Sequence, residues 1–306
     1  MIDILMATYN GEKYIEEQLD SIFKQSYENW RLIIADDCST DNTVAVIKDY
    51  QAKYPNKIIL YQNEQPSGSA RNNFFHLLDF SGSEYIMFAD QDDVWLQDKV
   101  LKTLKKMISV ENKYGKNIPL LVHTDLCVVD EELHIINESL FYMQDISADR
   151  NKLNNILIEN IVTGCTMMIN RKLANLLDTK PQKAIMHDMW MALVAATFGH
   201  IEYIDDATIL YRQHNNNSVG AKNVHSLNYY IGKFLQKDKS NMMLPNCMQA
   251  EEFLHIYFNK LDKKSVGMLC EFSTLLEYGR IYKFISLCKY NLFKKNYLKM
   301  VAQILF

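Results

Sequence analysis

Tyr85-Ile86-Met87-Phe88-Ala89-Asp90-Gln91-Asp92-Asp93-Val94-Trp95 joins an apolar run of strand length to a cluster of carboxylates. Four other short β-rich runs precede or follow it, at residues 2–6, 31–35, 57–61 and 120–123. Segments with helical spacing lie between them: Tyr14, Ile15, Leu19, Ile22 and Phe23, then Val44, Ile47 and Tyr50, then Phe74, Leu77 and Leu78. Alternating strands and helices predict an α/β fold on a mainly parallel sheet flanked by helices. Each run ends in polar residues, at 7–10, Asp36-Asp37, 65–68, 90–93 and Thr124-Asp125. In open α/β sheets the ligand crevice lies outside the carboxyl ends of the strands, so these ends are expected to converge on one site.

Beyond residue 150 the pattern loosens. A helix is expected at 150–159, a β-like stretch at 164–169, a helix at 187–198 and a strand at 201–204. A polar loop is expected at Asn215 to Asn217 with Gly220, and helical spacing from about 226 onward. This divides the chain into an α/β domain expected to carry the site, 1–220, and a helical C-terminal region, 221–306.

The 306 residues are 48% apolar and 23% charged, which excludes disorder and fibrous repeats. Six scattered cysteines form neither CxxC pairs nor a disulfide framework, so a reducing compartment is expected. No basic leader with a cleavage site opens the sequence, and no apolar stretch reaches the roughly 18 residues a membrane span needs. A cytoplasmic location, or a peripheral one on the inner face of the cell membrane, follows as an expectation. The net charge of −4 argues against nucleic acid as a partner. It conceals an asymmetry, because residues 221–306 carry 13 basic and 6 acidic side chains. From Ile281 onward there are five lysines, 283, 289, 294, 295 and 299, and no acid. Interleaved Phe284, Leu287, Leu292, Phe293, Leu298 and Leu305 complete a pattern that suits a helix on anionic lipid, or equally one packed on the main domain with a solvated basic face.

Several motifs admit a chemical and a plain structural reading. Asp90 and Asp92 are two apart, so in an extended segment both carboxylates project to one side. They cap the next helix, or they hold a hard divalent cation, Mn²⁺ or Mg²⁺, together with substrate phosphates. Asp36-Asp37 with Ser39 and Asp41 supplies a helix cap, yet two adjacent aspartates exceed what a cap needs and can accept from a pyrimidine imide or ribose hydroxyls. Gly68 to Asn73 is a turn with a surface arginine, or a helix N-terminus where Arg71 meets phosphate. Asp188 after His187 complements the dipole of the helix it opens, or serves as a general base. His214, ending Tyr211-Arg212-Gln213-His214, is structural or a ligand, and an imidazole would shift preference toward Mn²⁺. GxGxxG, GxxxxGK[ST], HExxH and GxSxG are all missing.

Taken in order and spacing, these stretches resemble the family 2 inverting glycosyltransferases of the Rossmann-like GT-A fold. The resemblance rests on residues 7–11, Asp36-Asp37, 88–95, 163–168, His187-Asp188 and 211–220, and covers about residues 1–225. Within that family the strings 90–95, His187-Asp188 and 211–214 look most like bacterial rhamnosyltransferases that build rhamnan and capsule backbones. The resemblance implies that Thr8, Tyr9, Asn10, Asp36, Asp37, Gly68, Arg71, Asn73, Asp90 and Gln91 bind the nucleotide-sugar donor. It implies that Asp92 and His214 hold the metal, that Asp188 is the catalytic base, and that Trp95, Gly164, His187, Trp190 and Arg212 line the donor or acceptor pocket. The implied activity moves a sugar, L-rhamnose from dTDP-L-rhamnose, to a glycan or lipid-linked saccharide in cell-surface polysaccharide synthesis. A UDP-hexose donor is the alternative within the class. A sugar-phosphate nucleotidyltransferase, a glycosidase and a non-catalytic sugar-nucleotide-binding protein are the alternatives outside it.

Overall fold

The computed structural model describes residues 1–214 and 243–295, with Met300 and Gln303. The expected division near residue 220, the polar loop at 215–220, the helical spacing expected over 226–242, and Leu298, Lys299 and Leu305 lie outside the described residues. Strands β1 (Ile2–Thr8), β2 (Trp30–Asp36), β3 (Ile58–Gln62) and β4 (Tyr85–Ala89) alternate with helices α1 (Ile15–Phe23), α2 (Thr43–Lys53) and α3 (Ala70–Leu78). After them come β5 (Val94–Trp95), α4 (Lys99–Tyr114), β6 (Leu120–Val129), β7 (Ile135–Asn137), α5 (Leu140–Gln144), α6 (Leu153–Ile156), β8 (Met168–Asn170), α7 (Arg171–Ala174), α8 (His187–Phe198) and β9 (His200–Arg212). Three further helices, Leu244–Tyr257, Lys263–Ser273 and Arg280–Tyr290, follow.

Among the described residues one nine-stranded sheet runs in the order β3-β2-β1-β4-β8-β6-β9-β5, with β7 beside β6. The first four strands are parallel. β8 is antiparallel to both β4 and β6, so two reversals return β6, and the β9 parallel to it, to the direction of β1. The carboxyl ends of β1, β2, β4, β6 and β9 therefore share one edge of the sheet. Because β8 runs the other way, the turn that enters it, Gly164–Thr166, also lies at that edge.

Side-chain alternation sorts the core into two layers. Ile2, Ile4 and Met6 of β1 and Ile15 and Leu19 of α1 pack with Ile47 and Met107 on one face. Leu5, Phe75 and Phe88 pack with Trp190 of α8 on the other. The C-terminal helices close this second face: Cys247, Phe253, Tyr257, Leu269 and Phe272 join its core.

Two strands run past their expected ends: β9, expected at 201–204, continues to Arg212, and β6, expected at 120–123, continues likewise. Thr124-Asp125 is not an exit, because β6 continues to Val129 through a register irregularity against β9. The polar residues there are satisfied internally: the Thr124 and Thr208 hydroxyls meet at 2.7 Å, and the Asp125 carboxylate accepts from Leu126 N and Leu140 N and from the Ser139 hydroxyl. The expected 150–159 helix shrinks to Leu153–Ile156, and the β-like stretch divides into a 3-10 turn and β8.

Gly199 joins α8 to β9 where His200 N donates to Pro119 O at 3.1 Å. A Cβ at Gly199 would stand 1.7 Å from that oxygen, and the nearest atoms are backbone, which has little room to yield. Gly199→Ala is expected to prise β9 from β6 and destabilise the protein by about 3 kcal/mol, the upper part of the overpacking range. Urea unfolding is the measurement, and a midpoint equal to the parent's would contradict it.

Candidate active site

The shared strand edge carries loops tied to each other by side chains. Thr8 and Asp36 are register partners, and the Thr8 hydroxyl donates to Asp36 Oδ1 at 3.0 Å. Asp36 also accepts from the backbone N and the hydroxyl of Ser39. Asp37 accepts from Ser67 N, the Ser67 hydroxyl and Asn63 Nδ2, which pins the loop after β3 to the end of β2. Asn10 takes a left-handed conformation (φ 45°), donating its N–H to the Ser39 hydroxyl and accepting from Thr40 N. The Gln91 amide bridges to Tyr9, its Oε1 accepting from Tyr9 N at 2.9 Å and its Nε2 donating to Tyr9 O at 3.0 Å. That amide lies over Gly11, where a Cβ would come within 2.4 Å of it. The Tyr9 side chain itself is exposed.

Next to this framework sits an acidic cluster. Burial raises the carboxyl of Asp90 to about 7, with the neighbouring charges of Asp92 and Asp188 adding to the effect. Asp93, fully buried, is pushed well above the ordinary carboxylate range by burial and by Asp92 and Asp90. Asp93 Oδ1 accepts from Arg212 N, while Oδ2 has no hydrogen-bond partner. Asp92 points the other way, its Oδ2 2.7 Å from His214 Nε2. The ring of Tyr14 stacks on His214 with centroids 5.0 Å apart.

A divalent cation suits this donor set. Asp90, Asp92 and Asp188 repel one another, an imidazole nitrogen stands against one of them, and oxygen with one nitrogen matches what Mn²⁺ accepts. Asp90, Asp93 and Cys165 also bring ligand atoms within 4.8 Å of one another. That trio is a poorer fit, because burial and the two carboxyls hold the Cys165 pKa well up, keeping it a thiol rather than the thiolate a metal binds. Beneath it lies Lys99, fully buried, its ammonium 4.7 Å from the Trp95 ring and its pKa lowered by burial to about 8.

Asp188 enters from the other half of the chain, in the first turn of α8. Its Oδ2 accepts from Gly164 N at 3.0 Å and its Oδ1 from Met189 N. Burial raises its carboxyl to about 6, against the lowering effect of hydrogen bonds from Met189, Gly164 and Asn160. His187 lies buried beside it, stacked on Phe74 at 4.1 Å. Its Nε2 would be 2.6 Å from a Cβ at Gly164, so glycine is what lets α8 approach the turn before β8. Burial lowers the imidazole pKa to about 3, and neither ring nitrogen has a hydrogen-bond partner. The segment entering α8 is braced from two sides. Arg71 Nη1 donates to Ala184 O, and Gln249 and Glu252 of the C-terminal helix Leu244–Tyr257 accept from the backbone N–H groups of Ile185, Gln182 and Lys183.

Asp90, Asp92, Asp188 and His214 thus gather at one edge, with Thr8, Tyr9, Asn10, Asp36, Asp37 and Gln91 adjoining. Gly68, at a positive φ of 87°, and Arg71 follow the Asp37–Ser67 contact. The other expected pocket residues stand farther back. Asn73 is buried and donates to Ala35 O, supporting β2 from beneath. Trp190 is wholly buried against Phe253 and Tyr257, and Trp95 is buried with its backbone N–H donating to the Ser21 hydroxyl. Arg212 is a buried staple: it donates to Asp92 O, Glu131 O and Glu17, and its guanidinium lies 4.6 Å from the Tyr14 ring. Tyr14, Glu131, Ser67, Asn160 and Lys99 carry no motif that marks them in the sequence, whereas Ser39 belongs to the Asp36-Asp37 motif. Tyr14 shows only helical spacing there, though its ring supports His214 and its hydroxyl donates to Glu131 at 3.0 Å.

The chain is 30% identical over 274 residues, 86% of its length and 90% of the relative's, to the dTDP-rhamnosyl transferase RfbG of Shigella flexneri. It is 28% identical over 178 residues to an Escherichia coli UDP-Glc:alpha-D-GlcNAc-diphosphoundecaprenol beta-1,3-glucosyltransferase, WfgD, covering 57% of this chain and 62% of that one. The fold is shared with S. aureus TarS 1-349 in complex with UDP, with a TM-score of 0.58 at 19% identity over 92% of this chain and 74% of that one. It is shared too with the mannosyltransferase PcManGT from Pyrobaculum calidifontis in complex with GDP-Man and Mn2+, with a TM-score of 0.54 at 15% identity over 99% and 86%. Residues 3–176 match the model of glycosyl transferase family 2, and the chain, a glycosyltransferase of GT-A type, belongs to that family.

Proposed function

We propose that the protein transfers L-rhamnose from dTDP-L-rhamnose to a hydroxyl of a glycan or lipid-linked saccharide, in a metal-dependent single displacement with inversion. The observation that carries the reaction type is the meeting of Asp188 with Asp90 and Asp92 at the strand exits, from segments about a hundred residues apart in sequence. The sugar and the nucleotide rest on the likeness, along 86% of the chain, to a dTDP-rhamnosyl transferase. The likeness to a UDP-Glc-dependent enzyme keeps a UDP-hexose as the second reading. A role in capsule or other cell-surface polysaccharide assembly, on the cytoplasmic side of the membrane, belongs to the same proposal.

In this reading Thr8, Tyr9, Asn10, Asp36 and Asp37 form the nucleoside end of the site. Asp36 and Asp37 spend several lone pairs on Thr8, Ser39, Asn63 and Ser67, so they act as much by shaping the loops as by touching the base or ribose. Gly68 and Arg71 border the diphosphate, and Asp90 with Gln91 lies beside the ribose. Asp92 and His214 would hold Mn²⁺ or Mg²⁺, which when bound neutralises charge that grows on the departing diphosphate. Asp188 takes the proton of the acceptor hydroxyl as that oxygen attacks the anomeric carbon, and dTDP leaves from the opposite face. Its raised pKa makes it a stronger base than an exposed aspartate, while its hydrogen bond from Gly164 N fixes its direction. His187 and Gly164 set the floor of the sugar pocket; Trp95, Trp190 and Arg212 act from behind it as supports.

Release of nucleotide from a panel of dTDP, UDP and GDP sugars with Mn²⁺ tests the donor, and rhamnose-independent turnover with UDP-hexoses would replace the first reading by the second. Asp188→Asn is expected to keep donor affinity and to lower kcat by about 10² to 10⁴, the usual contribution of a general base; normal turnover would remove Asp188 from the mechanism. Asp92→Ala is expected to abolish the metal-dependent part of donor binding, and calorimetry giving the same nucleotide affinity with and without Mn²⁺ in both proteins would refute this. The base works as the carboxylate, so kcat/KM should fall as pH drops below about 6, approaching tenfold per pH unit. A rate flat from pH 7 to pH 5 would contradict the assignment.

A further inference from the structure

We propose that the outward face of helix Arg280–Tyr290 docks on an anionic membrane surface. The helix is packed in the reverse of the usual sense, in which apolar residues face the protein and charged ones face water. Lys283 and Ser286 point inward at 6% and 1% exposure, whereas Ile281, Phe284 and Ile285 point outward at 80%, 46% and 56%. Tyr278 and Tyr282 extend the outer face, their rings 4.3 Å apart. The inner side is fixed by Leu287 in the core and by Glu271 of the neighbouring helix, which accepts from Ser286, Lys289 and the Tyr290 hydroxyl. The outward aliphatic and aromatic groups are therefore set by the fold, not by fraying of a loose end.

The occupant follows from charge and length. Residues 221–306 carry 13 basic and 6 acidic side chains, so this part of the chain is drawn to an anionic lipid surface. Eleven helical residues are too few to span a bilayer, and no helix among the described residues is long and apolar enough to cross one. A short helix with aliphatic, phenyl and phenol groups on one side lies in the headgroup plane instead. The basic stripe expected from the sequence is not what faces outward: Lys283 is internal, Lys289 pairs with Glu271 and Lys295 with Asp145. Charge supplies attraction from a distance and the apolar face supplies contact. This deepens the reading of a lipid-linked acceptor and rests on it for its purpose, though not for its test.

The test is co-sedimentation of the full chain with phosphatidylglycerol-containing vesicles and with pure phosphatidylcholine vesicles. The parent is expected to partition onto the anionic vesicles, and the triple variant Ile281→Ser, Phe284→Ser, Ile285→Ser to partition about tenfold less or weaker. Ile281→Ser alone, at the most exposed position, should lower partitioning by a smaller factor and covers the case in which the triple variant misfolds. Equal partitioning of parent and variants, or none by the parent, would overturn the proposal. So would sedimentation equilibrium in which the substitutions dissolve a dimer while vesicle binding is unchanged. Transfer to a water-soluble acceptor, measured alongside, should be the same in parent and variants; absence of transfer in both with vesicle binding retained would count against the enzymatic reading alone.

Discussion

Carboxyl groups held close enough to repel one another are the constraint around which this molecule is arranged. Asp90 and Asp92 leave the end of β4, Asp188 opens α8, and Asp93 is sealed beneath them, so four acids share a small volume with few compensating donors. Such a cluster opposes folding, and the surrounding structure offsets it. Arg212 ties the backbone of Asp92 to α1 and to the β6–β7 turn, and Lys99 places a buried ammonium under the group. His214 answers Asp92, and Asp90 is left facing the charges of Asp92 and Asp188. In the proposed reading a bound cation would neutralise that side and turn an unfavourable arrangement into binding affinity.

The parallel half of the sheet was legible because each strand there is a short β-branched run closed by polar residues, and Tyr85–Ala89 appears with the bounds its composition suggests. Helix His187–Phe198 was legible for a similar reason, an apolar run with an acid in its first turn. Helix Lys99–Tyr114 was not, because its lysines obscure the Val100, Thr103, Leu104, Met107, Val110 stripe that it buries. Only the first parts of the long β6–β9 pair were legible, at 120–123 and 201–204, since Thr124-Asp125 looks like an exit when its partners are unknown. In the site, residues that carry a charge at a strand end could be found from sequence. Residues whose role is to be a surface for another, such as Tyr14 under His214, could not, because packing between distant segments leaves no local pattern; Gly164 was reached through the resemblance, but its close approach to His187 was not.

The C-terminal helices complete the second layer of the core and also reach the site. Gln249, fully buried, holds Ile185 N, and Glu252 holds the N–H groups of Gln182 and Lys183, three to six residues before Asp188. The segment entering α8 is thus suspended between helix α3, through Arg71, and the C-terminal helix Leu244–Tyr257. The orientation of Asp188 therefore depends on residues from three distant parts of the sequence.

The amide of Gln91 makes two hydrogen bonds to Tyr9 in the way a neighbouring strand would, across a gap that Gly11 keeps open. One side chain therefore extends the ladder between β1 and β4 by another rung beyond the last paired residues. The two loops it couples are thereby tied at one separation, so that a change in the backbone at Tyr9 is passed directly to the acidic stretch that follows β4.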